Sequence, residues 1–139
     1  MYISKVTIRN FRIFDQVGIT ASFKKGINAI ISENNCGKSA FIDALRIAFS
    51  TTSYKKDIYF NLTDFHIDGR GIRCKEAFID IFLDEVPPDL FEIWNPENTT
   101  KGEFHIRYYV VPSIDGREKV KFQTWGGPVE GNSISSETF

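Results

Sequence analysis

Cysteine and histidine are scarce in this sequence, and a long apolar run is missing altogether. The 139 residues hold two cysteines, Cys36 and Cys74, and two histidines. Two thiols cannot build a disulfide framework or a four-ligand zinc site unaided, so reduced thiols in a cytoplasmic protein are expected. In that setting the Asn-x-Thr triplets at Asn61 and Asn98 carry no glycosylation meaning. No apolar stretch approaches the roughly 20 residues that a membrane helix needs. The first six residues alternate like a strand and do not form a secretory segment. A large net charge is absent too, since 17 basic and 18 acidic side chains leave −1.

What is present is a globular composition. Apolar residues make up 42% and charged residues 25%, which excludes disorder throughout and a collagen-like fibre. The length suits one domain with a real core and leaves no comfortable room for a second. Aromatics are high at 14%, chiefly 13 Phe, as expected of sheet surfaces and large-residue packing. The near-zero charge hides an asymmetry. Through Lys56 there are 9 basic against 3 acidic residues, and thereafter 8 against 15. A basic front fits an anionic ligand, although scattered surface charge fits it equally well. An acidic second part argues against a nucleic-acid surface there.

Residues 2–9 are enriched in β-branched side chains and read as a strand, followed by a second at 17–23. Residues 27–31 form a short, nearly continuous apolar run, as in a strand covered on both faces. A polar loop, 32–37, leads into the strongest helix of the chain, 38–49, with apolar residues at 41, 42, 44, 45, 48 and 49. Residues 51–75 are polar and irregular. Strand 75–85 alternates, with Ala77, Ile79, Ile81 and Leu83 on one side and Glu76, Phe78, Asp80, Phe82 and Asp84 on the other. Pro87-Pro88-Asp89 opens a short helix ending near Trp94. Strands 103–111 and 118–125 are joined by a turn at Asp115-Gly116, a hairpin signal. Residues 126–139, rich in Gly and Ser, form a flexible tail. The expected architecture is α/β: a mixed sheet around the helix in 1–50, with an antiparallel β part in 76–125, all within one lobe spanning 1–139.

The segment with chemical content is Ile30-Ile31-Ser32-Glu33-Asn34-Asn35-Cys36-Gly37-Lys38-Ser39, set between an apolar strand and the best helix. A phosphate-binding loop belongs there. Its backbone N–H groups converge on an anion, and the positive end of the helix dipole adds to them. Gly37 leaves room for the phosphate, Lys38 brings a mobile charge to the terminal phosphates, and the Ser39 hydroxyl is a ligand for Mg2+. Ser32 stands where the phosphate-loop pattern has Gly. The competing reading is a chance Gly-Lys-Ser at a helix start.

Residues 3–14 (Ile-Ser-Lys-Val-Thr-Ile-Arg-Asn-Phe-Arg-Ile-Phe) together with 27–39 resemble the start of an ABC-type ATPase head. That group includes the RecF recombination proteins, the structural-maintenance-of-chromosomes (SMC) proteins and the overcoming-lysogenization-defect (OLD) family. Asn10-Phe11-Arg12 and Glu33-Asn34-Asn35 are the shared words. Thr63-Asp64-Phe65, the 77–83 strand and Trp125-Gly126-Gly127 are most similar to OLD-family ATP-dependent endonucleases. The resemblance implies ATP and Mg2+ as cofactors, Arg12 near the nucleotide, and Asn34, Asn35, Cys36, Gly37, Lys38 and Ser39 around the phosphates. It also implies a homodimer of heads, DNA as a partner of the full-length protein, and no membrane. Such heads further need a signature motif, a Walker B strand ending in Asp-Glu and a switch His, and OLD enzymes add a metal-binding nuclease domain. The sequence after Ser39 is too short for these.

Ile81-Phe82-Leu83-Asp84-Glu85 nevertheless reads literally as Walker B, with Asp84 on the Mg2+ and Glu85 polarising water. Against this, Asp80 interrupts the run and gives the alternation of a half-solvated antiparallel strand. Two alternatives therefore stay open beside an ATP-binding half-site: a compact NTPase using Asp84 and Glu85, and a binding module whose degenerate loop takes no nucleotide. Gln123 is expected as a surface residue, with a nucleotide-sensing glutamine as the alternative. His66, beside Asp64 and Asp68, is expected to be solvated and not a metal ligand. His105 has no Cys or carboxylate at ligand spacing. Tyr108, Tyr109 and Trp125 are expected to pack in a sheet and not to stack on bases.

Overall fold

A computed structural model describes residues 2–26, 37–51, 59–87 and 101–127. The elements run β1 (Tyr2–Arg9), β2 (Ile19–Ser22), α1 (Lys38–Thr51), a single 3-10 turn (Leu62–Asp64), β3 (Glu76–Asp84), β4 (Gly102–Pro112) and β5 (Glu118–Gly126). The expected strand at 27–31, the short helix from Pro87 to Trp94 and the tail beyond residue 127 lie, wholly or nearly so, outside the described residues.

The five strands form one sheet in the order β2-β1-β3-β4-β5. Every pairing is antiparallel. The front of the chain and its back are thus joined directly, because β1 pairs with β3 from Tyr2↔Asp84 to Arg9↔Phe78. Alternation decides which side of β3 is buried. Ala77, Ile79, Ile81 and Leu83 are buried and meet Val6 and Ile8 of β1 and Phe104, Ile106 and Tyr108 of β4 in one core. That is the period-2 pattern expected of an antiparallel strand with one face packed.

Helix α1 covers this face with Ala40, Phe41, Ala44, Ile47 and Ala48, spaced to form a single stripe. Phe41 meets Phe23 with ring centroids 6.1 Å apart. The segment from Tyr59 to Ile67 packs beside them. Its Phe60 stacks on Tyr108 at 4.2 Å and meets the edge of Phe65 at 4.8 Å. The β4–β5 hairpin closes as expected: Gly116 adopts φ +81° and its amide donates to the Ser113 carbonyl at 3.0 Å, a turn followed by a left-handed glycine.

Candidate phosphate-binding site

The site is built at the start of α1. The Phe41 amide donates to the Gly37 carbonyl at 2.8 Å, which is the first helical hydrogen bond. The amides of residues 38–40 precede it and have no partner within the helix. The first turn carries no acidic residue, so the positive end of the helix is not neutralised from within. Lys38 and Ser39 are both exposed there. An exposed hydroxyl and ammonium at an open helix start fit Mg2+ and phosphate respectively. Asn34, Asn35 and Cys36, together with Ser32, lie outside the described residues.

Gly37 has φ +83°, a conformation that glycine adopts without strain. A β-carbon there would sit 2.6 Å from Ile13 Cδ1 and 3.0 Å from Phe14 Cε1. Access of phosphate is one reason for a glycine here. The structure adds a reason that sequence reading missed, the close approach of the 10–14 turn.

That turn also carries Arg12, which has φ +49°, beside Asn10 at +58°. Such values are uncommon for residues with side chains. They are held by neighbours far away in sequence. The Arg12 amide donates to the Asp64 carbonyl at 2.7 Å. His66 Nδ1 donates to the Arg12 carbonyl at 2.7 Å, and the His66 amide donates to the Asn10 carbonyl at 3.0 Å. Phe11 bridges to both Phe14 and Phe65.

The Arg12 guanidinium donates from Nε to Asp64 Oδ1 at 3.0 Å and from Nη1 to Asp43 Oδ2 at 2.6 Å. Burial opposes its charge, but the bonds to Asp43 and then Asp64 outweigh that opposition and raise its pKa above the ordinary value. Asp43 lies one helical turn after Ser39, so both face the same side of α1. The structure therefore brings Arg12, Gly37 and the Lys38-Ser39 helix start into one neighbourhood.

Asp84 and Glu85 are not part of it. Asp84 pairs with Tyr2, whereas the 10–14 turn leaves β1 beyond Arg9, which pairs with Phe78. The seven steps between correspond to roughly 23 Å of strand. Glu85 is instead ion-paired with Lys25 at 2.8 Å on the surface, and β3 is antiparallel to both neighbours.

Gln123 is half-buried on β5 opposite Arg107 of β4. His66 is occupied by the Arg12 carbonyl, and among the described residues no group of His, Cys, Asp and Glu could hold a metal ion. Tyr108 is buried beneath Phe60, Trp125 is buried, and Tyr109 lies against the Arg107 guanidinium.

His105 corrects the sequence reading. It has carboxylate partners on both ring nitrogens, Asp80 at 2.6 Å and Glu103 at 2.9 Å. Burial opposes its charge, but the two carboxylates, Asp80 first, raise its pKa above the usual histidine value. Trp125 stacks on its ring at 5.3 Å. The register Asp80↔His105 creates this cluster, and two-residue alternation at Glu103 is the one signal of it within the sequence.

Comparison with known proteins places the sequence and the fold. SMC protein 3 of Arabidopsis thaliana is 33% identical over 89 residues, 60% of this chain and 7% of that protein. The SMC protein 3 homolog of Plasmodium falciparum is 29% identical over 84 residues, 60% of this chain and 6% of that protein. The matched part is thus a small fraction of those long relatives.

Two solved structures share the fold. One, from work on ATP-driven dimerization and DNA-stimulated activation of SMC ATPases, has a TM-score of 0.59 at 21% identity. It covers 99% of this chain and 75% of its own. The other, an SMC head bound to the C-winged helix domain of ScpA, has a TM-score of 0.60 at 20% identity and covers 99% of this chain and 38% of its own. Residues 1–121 match the AAA ATPase domain family, and with most of its length so matched the chain belongs to that family.

Proposed function

We propose that this chain supplies an ATP- and Mg2+-binding half-site to a larger ATP-dependent DNA-processing protein, of the OLD-like endonuclease type that serves DNA repair or phage defence. The observation that carries the reading is Gly37, left-handed and packed under Ile13 and Phe14, opening α1 directly into exposed Lys38 and Ser39. Membership of an ATPase family and a fold shared with SMC heads support nucleotide as the anion. The likeness to OLD enzymes rests on Thr63-Asp64-Phe65, the 77–83 strand and Trp125-Gly126-Gly127.

Helix-start amides and Lys38 take up the phosphates, Ser39 holds the metal, and Arg12 lies beside them. Bound Mg2+ neutralises phosphate charge and orients the terminal phosphate. Hydrolysis awaits a second head that brings a signature motif, with a Walker B carboxylate from elsewhere in the full protein, so this chain alone turns over ATP slowly or not at all. The solved SMC ATPase described in terms of ATP-driven dimerization favours a homodimer and a DNA partner here as well. Reduced thiols and a cytoplasmic location belong to the same reading. No helix among the described residues is long and apolar enough to cross a membrane.

Titration with ATP and Mg2+ by calorimetry, beside Lys38→Ala, tests the proposal. Binding that Lys38→Ala abolishes is expected; identical curves from the two proteins would sink it.

A further inference from the structure

Asp64 sits in a stretch that reads as plain loop, yet its carboxylate is buried and engaged on both oxygens. Its side chain is only 8% exposed. One oxygen accepts from Arg12 Nε at 3.0 Å and the other from the Asn61 amide at 2.9 Å, while its carbonyl accepts the Arg12 amide at 2.7 Å. Asp64 therefore grips Arg12 by backbone and side chain together. Local bonds close the turn itself, the Phe14 amide donating to the Phe11 carbonyl at 2.8 Å and the Asn10 amide to the Asp15 carbonyl at 2.9 Å, and the contacts from Asp64 fix where the Arg12 head group points.

Asp43 completes the hold from α1 at 2.6 Å. With Nε fixed by one carboxylate and Nη1 by the other, the plane of the guanidinium is set. Arginine has five N–H donors, and these two contacts use two of them. The Arg12 side chain keeps 30% of its surface exposed. Donors held in place by fixed carboxylates bind an anion without first losing side-chain freedom.

We infer that Asp64, assisted by Asp43, is a positioning residue of the nucleotide site, acting through Arg12 to present a fixed guanidinium to the phosphates. This rests on the nucleotide reading above and adds to it a role for the segment around residue 64. The segment's state and that of the phosphate loop are joined by a short physical path, from Asp64 through the 10–14 turn to Gly37.

The test is a double-mutant cycle on ATP affinity, with urea unfolding of each protein in parallel. Arg12→Ala should weaken ATP binding about tenfold, the usual scale for a lost charge-assisted hydrogen bond. Asp64→Asn, which keeps an acceptor for the Asn61 amide but removes the charge, should weaken it about three- to tenfold. In an Arg12→Ala background, Asp64→Asn should weaken it no further. A role in folding alone would lower stability in both backgrounds and leave the affinity of the folded protein unchanged.

Asp43→Asn, at a more exposed position, runs the same cycle if Asp64→Asn proves too unstable. Wild-type affinity in both Asp64→Asn and Asp43→Asn, or additive losses in the double variants, would overturn the inference. If Lys38→Ala weakens binding and the aspartate variants do not, only the positioning role falls. If Lys38→Ala also binds like wild type, the nucleotide reading falls and takes this one with it.

Discussion

Replacing Gly37 with alanine asks the protein to hold a β-carbon 2.6 Å from Ile13 Cδ1 and 3.0 Å from Phe14 Cε1, at φ +83°. Two separable costs follow. The left-handed backbone penalises any L side chain by about 1–2 kcal/mol. Relieving the contacts comes on top. Ile13 is 58% exposed and can swing its terminal carbon aside cheaply, but Phe14 is 8% exposed and must shift a packed ring. Overpacking of that kind costs about 1–3 kcal/mol.

Gly116 provides the internal control. Its φ is +81° and a β-carbon there meets nothing within 4 Å, so Gly116→Ala should show the backbone cost alone. Urea denaturation followed by circular dichroism should place Gly37→Ala about 1–3 kcal/mol below Gly116→Ala, with unchanged m-values. Equal destabilisation of the two would refute the packing of the 10–14 turn on the loop glycine. Because that turn carries Arg12, Gly37→Ala should also weaken ATP binding, whereas Gly116→Ala should not.

The remaining predictions use other parts of the molecule. Phe65→Ala empties a site only 1% exposed and should cost about 3–5 kcal/mol in urea denaturation; a loss below 1 kcal/mol would contradict the packing of the 59–67 segment. His105 has a raised pKa in the fold, so the stability it adds is fully present below the ordinary histidine value and is lost as pH rises through the raised one. Urea midpoints should therefore fall in wild type as pH rises above the ordinary histidine value, and less so in His105→Gln. Asp80 and Glu103 face this ring directly, and Arg9 reaches Asp80 from β1 at 3.5 Å. Glu85→Gln should leave any ATP turnover of this chain unchanged; abolished turnover would restore the Asp84-Glu85 alternative.

Much of the fold was legible because it is written in short windows. The stripe of α1, the alternation of β3 and the Asp115-Gly116 turn each depend on residues within a few positions of one another. The start of the candidate site was legible for the same reason, since Gly37, Lys38 and Ser39 are consecutive. The partners of Arg12 were not, lying 31 and 52 positions away. Nothing in the irregular pattern of residues 59–67 announces that Phe65 enters the core with Phe60 packed against it, or that Asp64 takes up a guanidinium.

The sequence by itself thus determined helix α1, the alternating strands among the described residues, the glycine-lysine-serine start and the likeness to an ABC-type ATPase head, since local periodicity and contiguous motifs need no knowledge of distant partners. Tertiary structure alone decided the rest. The sheet order put β1 beside β3 and sent Asp84 to the far end from Gly37. The register laid Asp80 against His105. The return of residues 61–66 over the 10–14 turn set the direction of Arg12. Each of these follows from which apolar faces bury one another across long sequence separations, and no short window of sequence contains both faces.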